Sequence, residues 1–362
     1  MNLIINQNKL SSALRVIERV VSKNVSLPIL NTILFKTENG KLKLSATNLE
    51  LGVNYWIGAK INKDGEIAVP ARIISDFVSN IKDEKISITA EKNILTINSE
   101  NYKTQILEMD TKEFPLIPKI KNAIQFKISP ALLREGLINV LDSVSLSETR
   151  PELAGIYINV LKNKIEFAAT DTFRLSERII NFSDGIEKNF ILPKNSAIEL
   201  IRVIDGVTQD LTVALSENQI FIFSDDFEFI SRLVDGRYPE YKRVIPDKFS
   251  SLTKVNKNEF ERNIRLASIF SSSISDIKIA TVNQRMEIKA QNSDRGEINT
   301  SLVCLSNNNP FEVSVNYNYL LDGLKVIPAK EILIQYTGDG GPLILRAENN
   351  KNQTYVIMPL RH

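Results

Sequence analysis

Apolar residues along the chain recur first at helical spacing and then in alternation, and this switch happens again and again. Three segments with helical spacing stand out, at residues 69–81, 192–204 and 315–327. Their starts lie 123 residues apart in both steps. In the first, Ile74, Phe77, Val78 and Ile81 fall on one helix face. A second set opens each repeat. Residues 3–5 read as a strand and residues 9–21 as an amphipathic helix with Leu10, Leu14, Ile17 and Val21 on one side. Residues 126–128 and then 130–144 repeat this with Leu133, Leu137, Val140 and Val144, and Ser129-Pro130 supplies a cap followed by proline in the first turn. Residues 252–255 and 259–270 do it a third time with Phe260, Ile264 and Ala267.

Between the helices the period drops to two, which marks strands. Residues 86–89 and 94–97 read as a hairpin joined at Glu91-Lys92-Asn93, and residues 41–45 alternate as well. Residues 155–160 with 164–168, and 278–282 with 285–290, read as hairpins. Residues 211–215, 219–223 and 227–234 predict one meander, and 331–336, 343–348 and 355–358 another. The pattern therefore predicts an α+β protein of three similar domains in tandem, each made of two strand-helix-strand halves. The expected domains are 1–123, 124–249 and 250–362. The proline-bearing stretches Phe114-Pro115-Leu116-Ile117-Pro118 and Tyr238-Pro239 through Pro246 lead into the two junctions.

Composition narrows what such a chain does. Hydrophobic residues make up 43% of the 362, enough for real cores. Lys and Arg number 45 against 43 Asp and Glu, a net charge of +2, which argues against a protein that grips nucleic acid by charge alone. The single cysteine, Cys304, forbids an intramolecular disulfide and suits a reducing cytoplasm. The only histidine is His362, so no Ser-His-Asp triad or His-Cys metal cluster is expected inside the fold. The first residues show no basic-then-apolar pattern, so no secretory signal is expected, and no apolar run reaches membrane-spanning length.

Several stretches carry a family resemblance. Ser26-Leu27-Pro28-Ile29-Leu30, Ser45-Ala46-Thr47-Asn48-Leu49-Glu50 and Val69-Pro70-Ala71-Arg72 are one group. Residues 233–246, Leu-Val-Asp-Gly-Arg-Tyr-Pro-Glu-Tyr-Lys-Arg-Val-Ile-Pro, are the strongest, and the closing Tyr355-Val356-Ile357-Met358-Pro359-Leu360-Arg361 adds to them. In this order and over this length the chain resembles the bacterial DNA sliding clamps, the beta subunits of DNA polymerase III.

The resemblance implies a DNA clamp fold, a head-to-tail homodimeric ring, helices lining the hole and sheets outside. Its partners would be duplex DNA, held topologically and without sequence preference, the DNA polymerase III alpha subunit, the clamp loader and other proteins carrying a clamp-binding motif. No cofactor, metal, catalytic residue or membrane is implied, and the setting would be the cytoplasm. DNA-facing residues would include Arg72, Lys194 and Arg202. The family's basic residue near position 24 is Asn24 here, with Lys23 beside it. Basic residues on the polar faces of the expected helices, among them Lys9, Arg15, Arg262 and Lys325, would belong to the same lining. The expected dimer interface is Ile269 and Phe270 against an edge near Thr104 and Ile106.

The resemblance also implies a pocket for client peptides, which typically carry a glutamine followed by leucine and phenylalanine-like anchors. Matched by position, it comprises Leu153, Thr170, Thr172, Phe173, Arg174, Leu175, Pro239, Arg243, Val244, Pro342, Val356, Ile357, Met358, Pro359, Leu360 and Arg361. Thr172 stands where the family usually has glycine, and Leu360 where methionine is common. A competing reading makes the chain an enzyme with Asp225-Asp226 as a metal site. That pair falls in an expected strand-to-strand turn, where aspartate is favoured for backbone reasons, and the sequence has no GxxxxGK[ST] phosphate loop. A third reading is a repeat scaffold that assembles without DNA.

Overall fold

The structure is a computed structural model that describes residues 1–21, 27–117, 123–147, 149–183, 186–307, 309–338 and 340–360. Six α-helices occur among the described residues: α1 (Gln7–Ile17), α2 (Ala71–Asn80), α3 (Pro130–Leu141), α4 (Lys194–Val203), α5 (Lys257–Ser268) and α6 (Tyr317–Val326). The first residues of α2, α4 and α6 recur at the constant 123-residue step of the sequence pattern. The first helix is shorter than its periodicity predicts. After Ile17 the chain tightens into a 3-10 turn, Glu18–Val20, and Val21 is only half-buried. Asn side chains cap three helices. Asn6 accepts from the Lys9 amide, Asn256 from Glu259 and Asn316 from Asn318, each satisfying a donor that the first helical turn leaves open.

The chain forms two compact units, Met1–Leu133 with Asn195–Leu233, and Arg134–Lys194 with Val234–His362. The division runs through α3 and just inside α4. The first unit holds two sheets. One is five-stranded, in the order Lys60–Lys63, Asn2–Asn6, Lys85–Glu91, Ile94–Asn98, Lys103–Leu107. The other is eight-stranded, and its centre is the antiparallel pairing of Leu51–Gly58 with Phe227–Arg232. Helix α1 packs on α2, where the Gln7 amide donates to the Val78 carbonyl at 2.7 Å. Leu3, Leu10, Leu14, Ile17, Ile74 and Val78 are all buried to within 1%.

The second unit is built on one twelve-stranded sheet, in which Arg174–Asn181 pairs antiparallel with Asn350–Ile357. Helices α5 and α6 pack together on it, over a core that includes Phe260, Ile264, Leu320, Leu324 and Tyr355. Two helical glycines set the distance between helix and sheet. A Cβ at Gly323 would lie 2.6 Å from the Tyr355 ring, and one at Gly136 would lie 2.3 Å from the Phe167 ring. No helix among the described residues is long and apolar enough to cross a membrane.

The strands predicted by alternation all form, and the hairpin at residues 91–93 turns through Lys92 and Asn93, with φ of 50° and 63°. This is the two-residue turn whose twist matches the flanking strands. Asp225 and Asp226 occupy the turn between Gln219–Phe223 and Phe227–Arg232. Asp226 has structural partners there: its carboxylate meets Lys41 at 3.2 Å and its carbonyl accepts from Trp56 at 2.8 Å.

Candidate functional site

An apolar groove opens in the second unit. Its walls come from Lys164–Thr170, the turn after it, Arg174–Asn181, the end of Asn350–Ile357, and two 3-10 turns, Pro151–Leu153 and Tyr241–Val244. A cavity of about 230 Å³ is lined by Arg150, Leu153, Thr170, Thr172, Arg174, Leu175, Pro239, Glu240, Tyr241, Val244, Val356 and Met358. That is below the size that encloses a drug-sized ligand and suits one or two side chains of a larger partner. Leu153, Leu175, Val356 and Tyr241 form a buried floor with Tyr238 and Ala168. Val244 is 48% exposed at the edge.

The turn beside the groove is held by its own side chains. Asp171 Oδ1 accepts from the amides of Phe173 at 3.0 Å and Arg174 at 2.9 Å. Thr170 Oγ1 accepts from the Thr172 amide at 3.1 Å and donates to the Arg174 carbonyl at 2.7 Å. These bonds force Thr172 into the left-handed region, at φ 78°. The same turn occurs in the first unit, 123 residues earlier. There Asn48 Oδ1 accepts from Glu50 at 3.0 Å and Leu51 at 2.8 Å, Thr47 Oγ1 accepts from Leu49 at 3.1 Å, and Leu49 has φ 74°. An Asx side chain preceded by threonine at matching positions in both repeats is the signal that would have found it.

Arg174 ties the rim of the groove to α6. Its Nε lies 3.0 Å from Asp171 Oδ2, its Nη1 donates to Asp322 on α6, and its guanidinium stacks 4.6 Å from the Tyr319 ring centre. Burial works against the charge, but Tyr355, Asp322 and Asp171 more than offset it and hold the arginine firmly protonated. The Tyr241 hydroxyl, pushed up by burial and then by Glu177, donates to Glu177 Oε1 at 2.8 Å. The next residue, Lys242, reaches Glu166 Oε1 at 2.5 Å. Burial favours the neutral form of Glu166, yet the hydrogen bonds from Lys164, Lys242 and Asn159 hold its carboxyl below the ordinary 4.5. The polypeptide leading out of Pro239 is thus pinned at two buried carboxylates.

The groove gathers Leu153, Thr170, Thr172, Arg174, Leu175, Pro239, Val244, Val356 and Met358 from the sequence-predicted set. Phe173, Arg243, Pro342, Ile357, Pro359 and Leu360 do not line the cavity, and Arg361 lies outside the described residues. Ile357 is the clearest correction. It is fully buried in the core on the opposite face of the strand from Val356 and Met358, as period-two geometry requires. Phe173 is 59% exposed beside the turn, where its carbonyl accepts from the Met358 amide at 2.8 Å. Leu360 is tied instead to the Ser314 carbonyl, also at 2.8 Å. Arg150, Glu240 and Tyr241 are lining residues that motif matching missed.

Among the predicted DNA-facing residues, Arg72 and Arg202 are exposed, each next to an acid of its own helix, Asp76 at 3.6 Å and Glu199. Lys194 is only half-buried, and burial pulls its pKa down against the pull of Asp142. Lys23 lies outside the described residues. Of the predicted interface residues, Ile269 is 56% exposed and Phe270 packs partly against the core. Ile106 lies on the edge strand Lys103–Leu107. Its side chain is only 5% exposed and faces inward, while its neighbour Leu107 is 73% exposed on the same edge strand.

The fold and groove define a tandem-repeat α+β chain with an apolar cavity in its second unit. Comparisons with known proteins go further. The family models of the DNA polymerase III beta subunit match three consecutive stretches: its N-terminal domain over residues 1–118, its central domain over 127–240 and its C-terminal domain over 242–361. The chain belongs to the DNA polymerase III beta subunit family, the beta sliding clamps. It is 28% identical to the beta sliding clamp of Rickettsia bellii, covering 100% of both chains. The DNA polymerase III beta subunit of Thermotoga maritima superposes with a TM-score of 0.95 at 25% identity, covering 100% of this chain and 99% of that one. The DnaN sliding clamp of Bartonella birtlesii, bound to griselimycin, has a TM-score of 0.95 at 27% identity, with 100% of both chains covered.

Proposed function

We propose that two copies of this chain close head to tail into a ring around duplex DNA, slide along it without reading sequence, and tether the replicative polymerase. The chain would act as a processivity factor in the cytoplasm and catalyse nothing itself. The three domains would be 1–123, 124–249 and 250–362. The clamp loader and repair proteins would dock with the polymerase alpha subunit through short peptides in the apolar groove.

One observation carries this reading. Within each unit, the strand that follows a Thr-Asx turn pairs antiparallel with the last strand of the next repeat: Leu51–Gly58 with Phe227–Arg232, and Arg174–Asn181 with Asn350–Ile357. The strand at the matching position of the third repeat is Gly296–Ser306, which follows Ser293-Asp294, and the last strand of the first repeat is Lys103–Leu107. Among the described residues Gly296–Ser306 bonds along its length to Arg285–Asn292, but on its other side only through Cys304, Leu305 and Ser306. Lys103–Leu107 ends its sheet. Two unmatched antiparallel edges on one chain are what a head-to-tail contact between copies uses, and a rotation that closes gives a ring. Enclosure then explains a net charge of only +2, because topology rather than affinity holds the DNA.

The test of the contact is Ile269→Ala with Phe270→Ala. Sedimentation should show dimers for the native chain and monomers for the variant. A variant that stays dimeric with native affinity would reject the placement of the interface.

A further inference from the structure

We propose that Thr172 sets the selectivity of the apolar groove, a reading that rests on the groove being the peptide site. The floor residues Leu153, Leu175 and Val356 are buried to within 3%, whereas Thr172 lines the same cavity from an exposed position. Thr172 therefore belongs to the exposed rim of the cavity. Its φ of 78° is a conformation that a β-branched residue rarely adopts and that glycine takes freely. The hydrogen bonds of Asp171 and Thr170 impose that conformation, just as Asn48 and Thr47 impose it on Leu49 in the matching turn of the first unit. The turn fixes the backbone through Asp171 and Thr170, so what distinguishes this position at the cavity is its side chain.

A cavity of about 230 Å³ is small enough that one branched side chain at its mouth changes what enters. Thr172 narrows the entrance and favours ligands whose anchor is slim where it passes the rim. Arg174 and Glu240, which line the cavity with it, supply polar contacts that orient the ligand without filling the space.

The test uses the full-length chain and labelled synthetic peptides that carry a glutamine, a leucine and a variable final anchor of alanine, leucine, phenylalanine or tryptophan. Fluorescence anisotropy reads the affinity of each for the native chain and for Thr172→Gly, Thr172→Ala and Thr172→Val. Thr172→Gly and Thr172→Ala should both shift the tryptophan-to-leucine preference toward tryptophan by about tenfold. Thr172→Val, which keeps the branched shape, should hold the native preference. An unchanged ratio in the glycine and alanine variants overturns the proposal while leaving the groove as a peptide site. A shift in the glycine variant alone also overturns it, since backbone freedom and not side-chain size would then be the cause. If the native chain binds none of the peptides, the groove reading itself fails and this proposal falls with it.

Discussion

Thr172 shows how a single side chain can be at odds with its backbone. Holding a threonine at φ 78° carries a strain of about 1–3 kcal/mol. Glycine removes that strain but frees the unfolded chain, which offsets part of the gain. Thr172→Gly should therefore raise stability by about 1 kcal/mol, read as a higher midpoint in thermal or urea unfolding. Glu166 gives a pH-dependent case. Its carboxyl is held below 4.5 in the fold, so it contributes stability above that pH and loses it as the pH falls through the folded-state value. Glu166→Gln should destabilise the chain at pH 7, and the gap between variant and native midpoints should close in acid. A gap that persists unchanged at low pH would show that the carboxylate charge is not what matters. At this scale a repeated chemistry, Ala46-Thr47-Asn48 and Ala169-Thr170-Asp171, marks a turn that apolar periodicity does not register. The sequence was misleading where neighbours in it were assigned to one surface. Val356, Ile357 and Met358 are consecutive, and a strand sends the middle one to the core. The same geometry turned Ile106 inward and left Leu107 exposed.

Elements reveal what each pattern could carry. Strands with one wet face alternate cleanly, and those are the ones the sequence announces, such as Ile94–Asn98, where half-buried and buried residues alternate. Leu51–Gly58 has no such alternation, because its first four residues are all buried, and it lies at the centre of the eight-stranded sheet. Turns were legible in part. Asn39-Gly40 is the sequence pair that this turn type favours, whereas Lys92-Asn93 and Asn283-Gln284 adopt positive φ without a glycine, and there flanking alternation is the better guide. The helices were located by period, and their approach to the sheet depends on two glycines that periodicity does not flag. Gly323→Ala would drive a methyl into the Tyr355 ring under α6. It should cost about 1–3 kcal/mol in urea unfolding. Gly206, whose Cβ would meet nothing within 4 Å, is the control for added bulk, although its φ of 77° adds backbone strain of its own.

The whole molecule depends on repetition. Among the described residues a 123-residue period relates three helix starts and two Thr-Asx turns, and the two internal strand pairings show how one repeat joins the next. The ring proposal extends that rule by one step, to a second copy. It also makes affinity for open DNA a poor measure of function. Exposed bases such as Arg72 and Arg202 have acids beside them, so binding to a short linear duplex should be weak and should fall steeply as salt rises. The most direct test is retention on nicked circular DNA after loading, followed by gel filtration. The account predicts that the chain co-elutes with the circle and leaves it when the circle is cut. Equal retention on circular and linearised DNA, or none on either, would contradict it.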